Sequence, residues 1–136
     1  MKLNTYLFFN GNCAEAFRFY ERTLGGKITA LMDHSAAPPA PHLPEEWREK
    51  ILHARLEIGD QVLMASDAPP AYAAPNQGFS INIDIADPAE AERIFNALAE
   101  NGTVNMPFGQ TFWAYRFGML VDQFGIPWMI NCEKPA

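Results

Sequence analysis

The sequence contains few cysteines, few basic residues and no long apolar segment, and each shortage excludes a class of protein. Its two cysteines, Cys13 and Cys132, form no Cys-x-x-Cys pair, which is typical of proteins from a reducing compartment. The chain carries 10 Lys and Arg against 16 Asp and Glu, so its formal net charge is −6. Because phosphate groups repel an acidic surface and no basic cluster reverses this locally, we expect no nucleic-acid partner.

No stretch has the pattern of a membrane span or a secretory signal. The apolar run Tyr6–Phe9 ends at Asn10, whereas a transmembrane helix needs about 18 to 20 apolar residues. The chain has 136 residues, of which 49% are hydrophobic and 19% charged, so it is long and apolar enough to form a buried core. We therefore expect a single globular domain in the cytoplasm, with no membrane partner.

Two amphipathic helices are the most distinct elements of the sequence. The spacing of apolar residues predicts them over 13–24 and 88–100. Asn12 and Asp87 precede them and are expected to act as N-caps, because their side chains can accept hydrogen bonds from the first unpaired N–H groups. A glycine follows each helix, and we expect it to end the helix in a positive-φ conformation. These glycines are Gly25 and Gly102.

Strands surround the two helices, four in each half of the chain. Apolar–polar alternation and turn residues predict those of the first half at Leu3–Phe9, Lys27–Asp33, Ile51–Ile58 and Gln61–Ser66. The same signals predict those of the second half at Phe79–Ile85, Thr103–Phe108, Ala114–Val121 and Pro127–Cys132. The order β-α-β-β-β thus occurs twice, in modules of about 1–67 and 78–136 joined by a Pro-rich linker at about 68–77. An α+β fold of two such modules is expected.

The two halves also match residue by residue. At an offset of 75 the first helix aligns with the second, and the same offset in the preceding strands aligns Thr5 with Ser80. In the last strands, Leu63-Met64 recurs as Trp128-Met129. The repeat therefore predicts that each residue of these two pairs occupies the same place in its module.

Three segments resemble the PhnB-like branch of the glyoxalase/bleomycin resistance/dioxygenase superfamily, also called the vicinal oxygen chelate superfamily. They are Tyr6–Cys13, Gln110–Ala114 and Asp122–Asn131. The resemblance spans nearly the whole chain and implies that each module forms a cupped mixed sheet with its helix on the convex face. It also implies a small-molecule cavity enclosed by the two cups.

The resemblance further implies where a metal would be bound. In metal-using members of this superfamily the ligands are His, Glu or Gln on the first and last strands of each module. The matching positions in this chain are Thr5, Met64, Ser80 and Met129. Hydroxyls and thioethers supply no charge to offset the dehydration of a divalent cation, so we expect no metal and no cofactor.

Other side chains extend this candidate cavity. His53 and Glu57 share the polar face of one predicted strand with Arg55, and the opposite face is expected to hold Leu52 and other apolar residues. This polar face either provides an acid/base pair with an anion-binding Arg or is a solvated surface with its own ion pair. Aromatic rings near a loop suit a pocket wall. The complete candidate cavity is Thr5, His53, Glu57, Met64, Ser80, Trp113, Tyr115 and Met129.

Two further groups have weaker functional interpretations. The thiol of Cys13 opens a helix, whose dipole would lower its pKa, but the sequence places no base beside it. His34 and His42, with Asp33, lie in or near a Pro-rich loop and form either a metal cluster or an ordinary polar loop surface. We expect the ordinary surface.

The sequence is therefore interpreted as a metal-independent small-molecule protein whose specific activity is undefined. One alternative is a non-catalytic protein that sequesters a cationic aromatic ligand, as bleomycin-resistance members do, and another is a divergent enzyme using Glu57 or His53 as acid or base. A methyltransferase name that relatives carry is not supported, because no Gly-x-Gly nucleotide motif is present. A group of large rings in the second half of the chain predicts a homodimer: Phe108, Phe112, Trp113, Tyr115, Phe124 and Trp128.

Overall fold

The computed structural model describes residues 1–38 and 43–133. Its elements, in chain order, are β1 (Thr5–Phe9), α1 (Cys13–Leu24), β2 (Lys27–Asp33), β3 (Ile51–Ile58), β4 (Gln61–Asp67), β5 (Ile81–Asp84), α2 (Pro88–Ala99), β6 (Thr103–Gly109), β7 (Ala114–Val121) and β8 (Pro127–Glu133). Three short 3-10 turns lie at His34–Ala36, Glu45–Trp47 and Pro70–Tyr72. No helix in these described ranges is long and apolar enough to cross a membrane.

The strands form two four-stranded mixed sheets with the same topology. The strand orders are β1-β4-β3-β2 and β5-β8-β7-β6, with the first pair of each sheet parallel and the other pairs antiparallel. The chain divides into two compact units, Met1–Ala74 and Pro75–Ala136. The expected α+β fold with two βαβββ modules is confirmed, and each predicted strand is present with its ends within two residues of the prediction.

In the first unit, α1 covers one face of the sheet. Alternation along the strands directs Leu7, Ala54, Leu56 and Ala65 to this face, where all four are buried. The helix contributes an apolar stripe that includes Phe17, which is also fully buried. Burial of such apolar surface contributes about 25 cal/mol per Å², so this interface stabilises the unit.

The prediction that Leu52 belongs to this apolar face is wrong. The pairing of β2 with β3 shifts between Met32 and Asp33, so the alternation of β3 is broken near its start. As a result Ile51 is buried and Leu52 is 37% exposed. This irregularity directs an apolar side chain away from the core.

The second unit has an equivalent core around α2. The helix packs on β6, β7 and β8, and Leu120, Trp128 and Ile130 are buried beneath it. The indole N–H of Trp128 donates to the buried carboxylate of Asp122 at 2.8 Å, which satisfies the one polar atom of this ring. The core therefore includes Trp128, a ring that the sequence analysis assigned to a surface for dimerisation.

The helix N-termini confirm one predicted cap and correct the other. The Asp87 side chain accepts a hydrogen bond from Ala89 N at 3.2 Å, as expected. Asn12 makes no side-chain capping bond. The cap of α1 comes instead from Asp67 at the end of β4, whose Oδ1 accepts from Cys13 N at 3.0 Å. The Asp67 carboxylate, which is distant in sequence, therefore caps α1 in place of the side-chain amide of Asn12.

At the helix C-termini, too, one prediction is confirmed and the other is wrong. Gly25 ends α1 with φ 76°, as predicted. After α2 the positive-φ residue is Asn101, with φ 58°, and the prediction for Gly102 is wrong. A glycine is required there for a different reason, because a Cβ on Gly102 would lie 2.4 Å from the carbonyl oxygen of Val121. Close backbone approach, and not backbone conformation, selects this glycine.

This close approach makes Gly102→Ala a test of the packing. We expect the substitution to destabilise the chain by about 1–3 kcal/mol, since the backbone of β7 must move to admit a methyl group. The measurement is the midpoint of urea unfolding.

A matched control is Gly109→Ala, where an added Cβ would meet its nearest atom at 3.9 Å. We expect no loss of stability in this variant, because the methyl group enters open space and glycine is already unfavourable in a strand. Equal loss in the two variants would contradict the packing described here.

Candidate functional site

The face of the first sheet opposite α1 carries several polar side chains, and we call it the helix-free face. Strand register places Tyr6, Met64 and Arg55 side by side across β1, β4 and β3. Alternation along β3 adds His53 and Glu57 to the same face. Three of the predicted cavity residues of this unit, His53, Glu57 and Met64, are therefore brought together.

Thr5 is not brought to this face. It pairs with Leu63, and both belong to the face that α1 covers. Its neighbour Tyr6 is the first-strand residue beside Met64. The cavity position that the sequence analysis assigned to Thr5 is thus occupied by a phenol.

The second unit shows how the assignment shifted. Ile81 pairs with Trp128, and Asn82 pairs with Met129. Because Leu63-Met64 matches Trp128-Met129, Thr5 corresponds to Ile81, which is an offset of 76 in the strands. Ser80 precedes the first residue of β5. The row beside Met129 consists of Asn82 and Met119.

Connection lengths explain the difference between strand and helix offsets. Three residues, Asn10 to Asn12, separate Phe9 from α1, whereas two, Ala86 and Asp87, separate the equivalent Ile85 from α2. The second unit has one additional residue after its helix, so that Asn101-Gly102 aligns with Gly25-Gly26. The different lengths of these connections were the signal in the sequence. They could have shown that the strands align at an offset of 76 while the helices align at 75.

The polar groups of the helix-free face are paired with one another. Arg55 Nε lies 3.6 Å from Glu57 Oε2, and both side chains are partly exposed. The hydroxyl of Tyr6 lies 3.5 Å from His53 Nδ1, at the limit of a hydrogen bond. The ion pair corresponds to the second interpretation of this strand, a polar surface that satisfies its own charges.

These rows do not fit a divalent metal. The side chains beside Met64 are a phenol and a guanidinium, and those beside Met129 are an amide and a thioether. A guanidinium repels a dication, and neutral thioethers are poor ligands for zinc, manganese or iron. Within residues 1–38 and 43–133 no three His, Cys, Asp or Glu side chains are grouped as metal ligands.

The two aromatic residues of the predicted cavity, Trp113 and Tyr115, lie at the start of β7. Trp113 is 51% exposed and contacts Phe112 and Phe117 at ring-centroid distances of 4.8 and 5.4 Å. The guanidinium of Arg116 lies 4.3 Å from the centre of the Tyr115 ring. Phe117 is buried. Trp113 and Tyr115 thus form an exposed aromatic surface.

A pocket that the sequence analysis did not predict lies within the first unit, where β1 and β4 end. Its volume is about 370 Å³. The lining residues are Phe8, His34, Leu52, Ser66, Asp67, Ala68, Pro69 and Tyr72. None of the eight predicted cavity residues is among them. The signal was the Pro-rich stretch after β4, which was treated as a linker although its 3-10 turn forms one wall.

The weaker candidates have structural roles or lie outside the described chain. Burial, with the nearby charge of Asp67, raises the pKa of the Cys13 thiol far above its ordinary value, so the suggested reactive thiolate is wrong. Asp33 caps the turn that begins at His34, by accepting from Ser35 N at 3.0 Å. His42 lies outside the described residues, so the ordinary polar surface expected for this loop stays a prediction.

Comparison with known proteins identifies close relatives over the whole chain. The family model described as 3-demethylubiquinone-9 3-methyltransferase matches residues 1–131. Protein YjdN from Escherichia coli is 39% identical over 98% of this chain and 97% of its own length.

Two solved structures are also similar to this chain over nearly its whole length. The crystal structure of protein PA1353 from Pseudomonas aeruginosa is 49% identical and covers 99% of both chains with a TM-score of 0.91. A putative 3-demethylubiquinone-9 3-methyltransferase, PhnB protein, from Bacillus cereus is 23% identical, covers 97% of this chain and 99% of its own, and has a TM-score of 0.82. At that identity the second structure supports the fold alone.

Burial of both thiols leads to a direct chemical prediction. Cys13 and Cys132 are fully buried, and the raised pKa of Cys13 keeps its thiol protonated. We expect neither thiol to react with Ellman's reagent at pH 8 within minutes in the native protein, and both to react after denaturation.

A Glu92→Cys variant provides the control, because Glu92 is exposed on α2. Its added thiol should react within minutes under native conditions and release one equivalent of thionitrobenzoate per chain. Rapid native reaction of the unmodified chain would show that Cys13 or Cys132 is accessible, contrary to the structure.

Proposed function

This chain belongs to the 3-demethylubiquinone-9 3-methyltransferase family, within the PhnB-like branch of the glyoxalase superfamily, and from that membership we propose that it is a small-molecule-binding protein that acts without a metal. The observation that carries the proposal is the row Tyr6, Met64 and Arg55 across the first sheet. A positive charge occupies the neighbourhood in which a metal-using relative would need anionic or imidazole ligands. Packing and hydrogen bonds, and not coordination, therefore hold the ligand.

The family description names methyl transfer, but the residues of this chain do not fit a nucleotide methyl donor. Such a donor needs backbone N–H groups at a helix start that follows a parallel strand. At the start of α1, Gly11 N and Cys13 N both donate to Asp67 Oδ1, at 2.8 and 3.0 Å. At the start of α2 the Asp87 carboxylate is already in place. Both helix starts therefore present an acidic side chain where an anionic group of such a donor would need free N–H groups.

A second candidate function, sequestration of a cationic aromatic ligand, is favoured by the exposed rings at the start of β7. Phe112 is 89% exposed and Trp113 is 51% exposed, and a net charge of −6 attracts cations. The acid/base alternative has less support, because Glu57 is engaged by Arg55.

The same exposed rings support a proposed homodimer. Phe112 and Trp113 contact each other at 4.8 Å and together expose a large apolar surface, which a partner subunit would cover. Fewer rings support the dimer than the sequence analysis expected, because Trp128 is buried and Phe108 stacks on Phe95 at a centroid distance of 5.2 Å.

Metal independence predicts the outcome of a thermal-shift experiment. Zinc, manganese, nickel or iron(II) at tenfold excess over protein should leave the melting temperature unchanged, because only a ligand that prefers the folded state raises it. A double variant, Met64→His with Arg55→Glu, replaces a thioether and a cation by two metal ligands on paired positions and is expected to gain a zinc-dependent rise of several degrees. A metal-dependent rise in the unmodified chain would refute the proposal.

The dimer is tested by light scattering at micromolar concentration. We expect about twice the 15.2 kDa chain mass. Replacing both exposed rings, in a Phe112→Ser and Trp113→Ser variant, should reduce the mass to that of one chain, whereas Tyr72→Ser, an exposed ring of the first unit, should not. A monomer mass for the unmodified chain would contradict the dimer.

A further inference from the structure

Three of the six methionines of this chain lie in one row across the second sheet. Met106 pairs with Met119, and Met119 pairs with Met129, so the three residues stand directly opposite one another on β6, β7 and β8. We call this set the methionine row. The Cβ atoms of directly opposite residues lie about 4.5–5.5 Å apart, so the three side chains are neighbours.

The methionine row lies on the face of the second sheet opposite α2. Along β8, Met129 alternates with Trp128 and Ile130, which are buried beneath the helix. Strand pairing then places Met119 and Met106 on the same face as Met129. All three methionines are partly exposed, so the row is outside the core and open to solutes.

A bulge in the edge strand brings Met106 to this face. Val104 pairs with Leu120 on the side of α2, and one extra residue, Asn105, precedes the pairing of Met106 with Met119. Regular alternation from Val104 would direct Met106 toward the helix. The extra residue reverses this direction, because a bulge re-aims the side chains that follow it. The third thioether of the row therefore depends on this bulge.

The equivalent row of the first sheet is chemically different. Ala30 pairs with Arg55, which pairs with Met64. A methyl group and a guanidinium thus occupy the places that Met106 and Met119 occupy in the second unit. The repeat therefore provides a comparison within one chain, between a row with one thioether and a cation and a row with three thioethers.

Thioethers select soft metal ions. They carry no charge and are polarisable, so they bind zinc or manganese poorly but suit Cu(I), a soft monovalent ion. The exposed carboxylate of Asp84 lies on the same face, where it accepts a hydrogen bond from the amide of Asn82 at 3.2 Å. Asn82 stands beside Met129. A negative charge near the row favours a cation.

The spacing of the strands suits one shared ion. Neighbouring strands lie about 4.8 Å apart, so the backbones of Met106 and Met129 are about 10 Å apart with Met119 between them. Metal–sulfur bonds of about 2.3 Å, the length typical of thiolates on zinc, bring two sulfurs on one ion to about 4 Å from each other. Methionine is unbranched and flexible, so the two outer side chains can reach an ion above Met119.

We propose that the methionine row binds Cu(I) through the sulfur atoms of Met106, Met119 and Met129. The inference goes beyond the proposed function, which rests on residues of the first unit and excludes divalent metals as the means of holding the ligand. Two of the three ligands come from β6 and β7, whereas the metal ligands of metal-using relatives lie on the first and last strands of each module.

Silver(I) is a redox-stable probe of this site, because it shares the charge and softness of Cu(I). The test uses the full chain with carbon-13 in the methionine methyl groups, in chloride-free buffer. One equivalent of silver nitrate should shift the methyl signals of Met106, Met119 and Met129 and leave those of Met32 and Met64 in place. Cu(I), supplied without oxygen and with ascorbate, should shift the same three signals.

Variants test the sulfur atoms separately from the apolar surface. Met119→Leu keeps an apolar side chain of similar volume and removes the central sulfur. Competition with the chromophoric Cu(I) chelator ferrozine should show affinity lowered by about tenfold or more, since even groups that only orient metal ligands change affinity by about 10- to 100-fold. Met106→Ala, which copies Ala30 of the first sheet, should have the same effect and serves where Met119→Leu does not fold. Met32→Leu, at a thioether that is 46% exposed, is the matched control and should leave the affinity unchanged.

Contrary results are equally definite. Methyl signals of the row that stay in place at one equivalent of silver, or equal shifts of all the methionine signals, would overturn the site. Silver taken up by either cysteine while the methionine signals stay unchanged would do the same. Unaltered Cu(I) affinity in both Met119→Leu and Met106→Ala would also refute the proposal.

Discussion

One buried carboxylate organises the first unit. Asp67, at the end of β4, accepts hydrogen bonds from the backbone N–H groups of Gly11, Cys13 and Ile51 at 2.8 to 3.0 Å. A buried charge is tolerated only when it is satisfied in this way, so the start of α1 and the start of β3 are fixed relative to β4. These hydrogen bonds also fix the segments at the end of the sheet where the pocket lies.

A buried carboxylate also accepts several hydrogen bonds in the second unit, but at the turn between β7 and β8. Asp122 accepts from Phe124 N, Ile126 N and the indole of Trp128, and thereby fixes the turn between β7 and β8. The two modules therefore share a fold while their internal anchors differ. The acidic group that caps a helix in one unit secures a turn and a core tryptophan in the other.

The sequence predicted the elements of this fold well, because strand alternation and helix spacing are local properties of the chain. It did not predict what depends on distant contacts. Asp67 follows a strand and gives no local sign that it caps α1. The outward position of Leu52 results from a register shift between strands, which no single-strand pattern contains. The strand offset of 76, which replaces Thr5 by Tyr6 beside Met64, depends on loop lengths in the same way.

Three of the eight candidate cavity residues were accessible to the same reasoning. His53, Glu57 and Met64 share a face because residues two apart along a strand point the same way, and neighbouring strands align. The pocket was not accessible, because it combines a 3-10 turn, a strand end and a bulge that are far apart in sequence. The chemistry of the first sheet follows from both sets of residues: its charges pair with one another, and its apolar groups remain available for a ligand.

The central claim is that this protein binds its ligand without a metal, and elemental analysis of protein purified without chelator tests it most directly. After desalting, the account predicts far less than one equivalent per chain of zinc, manganese, nickel or iron, because the residues beside Met64 and Met129 cannot replace the hydration shell of a dication. One retained equivalent, lost on substitution of Met64 or Met129 by Ala, would contradict it.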